Sequence, residues 1–248
     1  MPDSPYLLLA CVAALLVGLS KGGLPAIGVL SVPVLSMQIS PVKAASLLLP
    51  IFVITDVVSV WLYRKQFSAR NLKILIPSAI AGVLFGWATA AYMPDRLIGL
   101  LIGLLGMVFC LNAWLQRSAH EAPARIPPTS HGIFWGALAG FTSFVSHAGA
   151  PPYQVYILPQ KLDKMVFVGT STILFAVINA AKIIPYQQLR PYSMADLHIA
   201  VWLIPAGLIG TVLGAWLTKK IHGVWFFRLV QGGLILVSLK LIFDYFKA

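Results

Sequence analysis

Ten apolar runs fill most of this chain, at about 6–19, 24–37, 42–63, 72–92, 97–115, 133–145, 151–158, 164–184, 197–218 and 225–246. A helix needs about 20 apolar residues to cross the roughly 30 Å hydrocarbon core of a bilayer, and six of the runs are 19 to 22 residues long. Among 248 residues this leaves almost nothing for a soluble domain. The 10% charged residues, beside 59% hydrophobic ones, fall far below the roughly 25% charge of a soluble domain. The expectation is a single all-α integral membrane domain over residues 1–248.

The four remaining runs are short and form two pairs. One pair is interrupted by Ser20-Lys21-Gly22-Gly23-Leu24-Pro25, the other by Ser146-His147-Ala148-Gly149-Ala150-Pro151-Pro152. Lipid cannot satisfy the backbone groups that such a break frees, so breaks survive only where protein or a water-filled cavity surrounds them. Two breaks in corresponding places of two halves are a pointer to a binding site near the midplane.

The chain does repeat. Leu75-Ile76-Pro77 with Gly82 and Gly86 recurs 128 positions later as Leu203-Ile204-Pro205 with Gly210 and Gly214. Asp56 and Tyr63 match Asn179 and Tyr186 at an offset of 123, and Pro25 matches Pro151 at 126. Their common order implies two homologous halves, about 6–115 and 132–246, joined by a linker over 116–130. Each half is expected to hold an interrupted, re-entrant first helix pair followed by three spanning helices.

Loop charge indicates the threading. With re-entrant pairs, Arg64, Lys65, Arg70, Lys73, Arg117, Arg125, Lys161, Lys164, Lys219 and Lys220 collect on one face, against Lys43, Arg96, Arg190 and Lys247 on the other. Single kinked crossings would split the charges eight against six. The excess of basic residues in cytoplasmic loops favours the first arrangement, which makes the halves inverted-topology repeats. The net charge of +11 belongs to those loops, so no nucleic acid is expected as a partner. Cys11 and Cys110 lie singly in apolar runs, excluding a disulfide framework or a zinc site, and no metal or cofactor is expected. Leu8-Leu9-Ala10-Cys11 resembles a lipoprotein cleavage site, but Met1–Pro5 carries Asp3 and no basic residue, so the segment reads as part of the first membrane helix.

Chemically the breaks suit an anion. Gly22 and Gly23 allow close backbone approach, the helix starts after each break offer N–H groups, Lys21 adds a full charge, Ser20, Ser146 and His147 add donors, and Gly149 is expected to bind with Ser146 and His147 from the second break. Asp56 is the one acid well inside a long span, roughly 5 Å from its centre at 1.5 Å per residue. An intramembrane carboxylate is functional by default, here as a proton carrier, and its repeat partner Asn179 cannot titrate. Thr170, Ser171 and Asn179 are expected to line a cavity, together with Thr172, Thr55 and Ser59, whose hydroxyls also suit helix–helix hydrogen bonds. Lys182, Arg228 and Lys240 lie toward span ends and are expected to snorkel. Trp61, Tyr63, Tyr92, Trp114, Trp135, Tyr186, Trp216 and Trp225 suit an interfacial aromatic belt, and the four-spaced glycines Gly82/Gly86, Gly99/Gly103, Gly132/Gly136/Gly140 and Gly210/Gly214 suit close helix packing. The sequence carries no H-E-x-x-H, G-x-S-x-G or P-loop motif, so no catalytic residues are expected.

The Gly18-Leu19-Ser20-Lys21-Gly22-Gly23-Leu24-Pro25 break, the Ser143–Pro152 segment and the duplicated hydropathy resemble the TauE/SafE family of sulfite and organosulfonate exporters, from Tyr6 to about Phe246. The resemblance implies a multi-pass permease of the bacterial inner membrane whose partners are the lipid bilayer and a small inorganic or organosulfonate anion. A homodimer is compatible with it. The expected function is a secondary transporter exporting small sulfur-containing oxyanions, driven by the proton gradient or the membrane potential. A passive anion channel and an uptake permease are the alternatives.

Overall fold

The structure, a computed structural model, describes residues 4–25, 27–36, 38–39, 41–89, 124–189 and 191–247, with Leu100, Leu104, Met107 and Leu111 between them. Most of the apolar run at 97–115, most of the linker, Cys110, Gly99/Gly103, Tyr92 and Trp114 lie outside the described residues. The rest is helical: α1 Ser4–Lys21, α2 Ser31–Leu35, α3 Pro41–Tyr63, α4 Ala69–Thr89, α5 Thr129–Ser146, α6 Ala150–Ile157, α7 Lys164–Leu189, α8 Met194–Lys220 and α9 Gly223–Phe246, with 3-10 turns at Ile27–Leu30 and Leu158–Gln160. Four of these helices, α3, α4, α7 and α8, are long and apolar enough to cross a membrane.

Both breaks fall where the polar, glycine-rich segments interrupt the apolar runs. α1 stops at Lys21 because Gly23 turns the chain with φ +124°, a conformation that glycine adopts without steric penalty. α5 stops at His147, which takes the left-handed conformation itself, φ 53°. Past each break the chain makes only short helical pieces, α2 with five residues and α6 with eight.

The helices pack across the middle of the sequence: α1 lies against α8, α4 against α5, and α3 against α7. Small residues set these approaches, as the glycine spacing predicts. A Cβ on Gly18 would stand 2.0 Å from the Gly207 carbonyl oxygen, and one on Gly140 would stand 2.0 Å from that of Ala79. Dispersion and close backbone contact hold membrane helices together, since lipid is as apolar as their side chains. Pro50, Pro77, Pro185 and Pro205 lie inside helices, which a membrane bundle tolerates because neighbours re-satisfy the freed backbone groups.

Trp61, Trp202, Trp216 and Trp225 are exposed along the bundle, but two of the expected belt residues are not. Tyr63 and Tyr186 are buried, and each hydroxyl donates to a backbone carbonyl at the end of a broken helix: Tyr63 to Gly22 at 2.6 Å, Tyr186 to Phe144 at 2.6 Å. They satisfy oxygens that the breaks would otherwise leave unpaired in an apolar interior.

Candidate functional site

The first break delivers a cation to the protein interior. Lys21, the last residue of α1, is 5% exposed, and its Nζ lies 2.6 Å from Asp56 Oδ1 on α3. Removing two ions from water costs several kcal/mol each, so such a pair persists only with further hydrogen bonds. Asn179 on α7 supplies one, its side-chain N–H donating to Asp56 Oδ2 at 2.7 Å. Positions 56 and 179, 123 residues apart in sequence, therefore meet directly. Lys21 Nζ also lies 5.1 Å from the centre of the Phe52 ring and 5.8 Å from that of Phe175, within cation–π range.

The second break presents an imidazole to the same place. His147 N–H donates to Ser143 O at 3.1 Å and Ala148 N–H to Thr142 O at 3.3 Å, while the Thr142 hydroxyl donates to Ala148 O at 3.1 Å. Fixed by this turn, the His147 ring stacks on Phe52 with centroids 4.9 Å apart. Its Nε2 is 3.1 Å from the Ala45 carbonyl oxygen. A carbonyl only accepts, so Nε2 carries the hydrogen. Nδ1 faces Lys182 Nζ at 2.9 Å.

Lys182 corrects the sequence reading. It does not snorkel; it is fully buried, and its Nζ donates to Ser143 O at 3.0 Å and to Ser143 Oγ at 3.1 Å as well as facing His147. Two lysines, Lys21 and Lys182, are thus buried in the bundle. The apolar run seemed to stop at Ile184, which placed Lys182 near a membrane face, but α7 continues through Pro185 to Leu189. That sets Lys182 about 10 Å inside the helix end at 1.5 Å per residue. The available signal was its spacing three residues after Asn179, which puts both side chains on one helix face.

A cavity lies between the two breaks. Ser20 and Lys21 line it from one side, Ser143 and His147 from the other, with Phe52, Ser171, Thr172, Phe175 and Asn179 as walls. The centre of a water-sized sphere has about 30 Å³ to move there, above the roughly 10–15 Å³ that one ordered water requires.

Other expected site residues are placed elsewhere. Gly22 packs on Gly214 and Gly23 on Thr218, both of α8, and their N–H groups donate to Gly18 O at 2.8 Å and Ser20 O at 3.2 Å. Gly149 packs on Ala139 and Ser143. The start of α6 has few N–H groups to offer, because Pro151 and Pro152 carry none. Thr170 ties α7 to the loop after α3, accepting from Ser68 N–H at 2.9 Å. Thr55 and Ser59 donate to carbonyls of their own helix instead of to a neighbouring helix. The Ser146 side chain lies outside what is described. Lys240 pairs with Asp244 on α9, and Arg228 lies over Trp225, both away from the cavity lining.

The sequence profile of the family described as "Sulfite exporter TauE/SafE" matches residues 10–241. No curated protein and no solved structure matches the chain.

Proposed function

The chain belongs to the TauE/SafE sulfite exporter family, whose members are membrane transporters, and on that premise we propose that it exports small sulfur-containing oxyanions through the cavity between its two breaks. The observation that carries this reading is the convergence of Lys21 and His147, from breaks separated by more than a hundred residues, on one interior space. Lys21 supplies charge, Ser20, Ser143 and Thr172 line the cavity with hydroxyls, and the Asn179 amide keeps a second N–H beside the one it gives Asp56, all groups able to donate to oxyanion oxygens.

In this reading the halves are inverted-topology repeats in a bacterial inner membrane, and transport alternates access around a fixed midplane site. The crosswise packing of α1 on α8 and α4 on α5, and the meeting of Asp56 with Asn179, support that arrangement. Asp56 carries the coupling proton. It shares Lys21 with the substrate, so an anion that draws Lys21 away leaves the carboxylate needing a proton.

The test is sulfite binding to purified, folded protein. Lys21→Ala and His147→Ala should each weaken it, by about tenfold or more for loss of a charge-assisted hydrogen bond, whereas Lys240→Ala should leave it unchanged. Parental binding in both site variants would sink the proposal. Asp56→Asn should retain binding but lose acceleration of transport by an imposed pH gradient in vesicles.

A further inference from the structure

The cavity between the breaks is smaller than the ion it is read to carry. Its free space of about 30 Å³ admits about two or three waters, at roughly 10–15 Å³ each, whereas sulfite has four non-hydrogen atoms and a sulfonate at least five. A wall must therefore move for the anion to enter. Most of the lining comes from α1, α3, α5 and α7, helices of 18 to 26 residues. Two stretches are short: the 3-10 turn that carries Gly28 and Val29, and α6, eight residues long, whose first residue is Ala150.

Of these two, α6 is the one under strain. His147 before it and Lys161 after it, with φ 53° and 48°, are the only non-glycine residues in the left-handed region among the described residues. Gln154, in the middle of α6, is fully buried, and neither its side-chain oxygen nor its nitrogen has a hydrogen-bond partner among the described residues. An amide side chain brings two donors and an acceptor, and burying them unpaired costs free energy that an apolar side chain of similar length would not. The other short stretch follows a bend at Gly23, φ 124°, where glycine has no Cβ to clash, and its Ser31 hydroxyl donates to Gly28 O at 2.6 Å.

We infer, building on the reading of the site as an anion binder, that α6 is the wall that moves and that the unpaired amide of Gln154 biases it to open. Strained residues cluster at switch regions, and hinges are element-terminal residues that absorb changes of φ and ψ, the places that His147 and Lys161 hold. At the near end Pro151 and Pro152 have no N–H to bond back to the break. The far end is fixed to α4, where the Asn71 side-chain N–H donates to Gln160 Oε1 at 2.9 Å. Gln154 stands four residues beyond Ala150, on the same face of the helix, so a shift of α6 that withdraws Ala150 from the cavity carries the amide with it. In the open arrangement the amide reaches the anion or the water that enters beside it, and the penalty that it adds to the closed arrangement is relieved.

Gln154→Met keeps the unbranched shape and removes the amide, which separates a gate from plain packing. Without anion, the purified full chain should melt about 2 °C or more higher, because the closed arrangement no longer buries unpaired groups. Its affinity for sulfite, measured by calorimetry, should fall about tenfold, since apparent affinity scales with the population of the competent state. Hydrogen exchange at residues 153–157 should slow by about the same factor relative to α5. A variant that melts lower or does not fold overturns the inference, because removing an unpaired amide cannot destabilise. A higher melting temperature with parental sulfite affinity makes Gln154 a packing defect and overturns the gate. If the parent does not bind sulfite, the anion site falls, and exchange still decides for α6: an unchanged rate at 153–157 in the variant overturns its opening.

Discussion

His147 holds a backbone conformation, φ 53°, that residues with a Cβ adopt reluctantly, at about 1–2 kcal/mol. Histidine, asparagine and aspartate are enriched there, so the position is compatible with a helix-ending turn but asparagine would serve the turn as well. The imidazole does more: it stacks on Phe52, bonds Ala45 and receives Lys182. His147→Asn should therefore preserve the turn and lower the affinity for sulfite about tenfold, the loss of roughly 1.4 kcal/mol. Thermal melting and calorimetry on one preparation separate the two effects. At Lys21 the expectation is coupled stability. Lys21→Met leaves the Asp56 carboxylate buried without its ammonium and should destabilise by roughly 3–5 kcal/mol. Adding Asp56→Asn should recover most of that loss, a non-additivity that a double-mutant cycle in detergent would read directly. Independent, additive losses would mean that the pair does not interact.

Helix contacts were legible as faces and illegible as partners. The four-residue glycine spacing marked Gly82/Gly86, Gly136/Gly140 and Gly210/Gly214 as close-packing stripes, because only a missing side chain lets two helix backbones approach. Which stripe meets which depends on threading, and periodicity carries no such information. The structure seats Gly18 of α1, and Gly22 just past its end, on Gly207, Gly210 and Gly214 of α8. Gly18→Val should consequently force the backbones apart and cost roughly 1–3 kcal/mol, seen as a lower melting temperature. Gly232→Ala on α9, where a Cβ meets nothing within 4 Å among the described residues, should be neutral or stabilise by up to about 1 kcal/mol through helix propensity. Equal effects at both positions would remove the close-packing explanation. The site was legible in the same partial way. Lys21, Asp56 and His147 stood out because charge or a titratable ring within an apolar run is costly. Lys182 hid because apolar runs mark where hydropathy ends, and a helix need not end there. Tyr63 and Tyr186 hid because an interfacial tyrosine and one that caps a broken helix have the same sequence neighbours.

For the molecule as a whole, the proposed inverted threading makes a prediction about sidedness. In a background lacking Cys11 and Cys110, a cysteine at Ser68 should be shielded from an impermeant thiol reagent added outside intact cells, and one at Ser193 should react. Labelling at position 68 from outside would refute the proposed threading. The crosswise packing reaches further. α1 is seated on α8 and α4 on α5, so a cut in the connection between α4 and α5 leaves each piece with small-residue faces that the other piece covers. Made alone, either piece should aggregate or be degraded in the membrane. Made together as two separate chains they should assemble and co-purify, so that the fold would be a property of its seams and not of the connection between them.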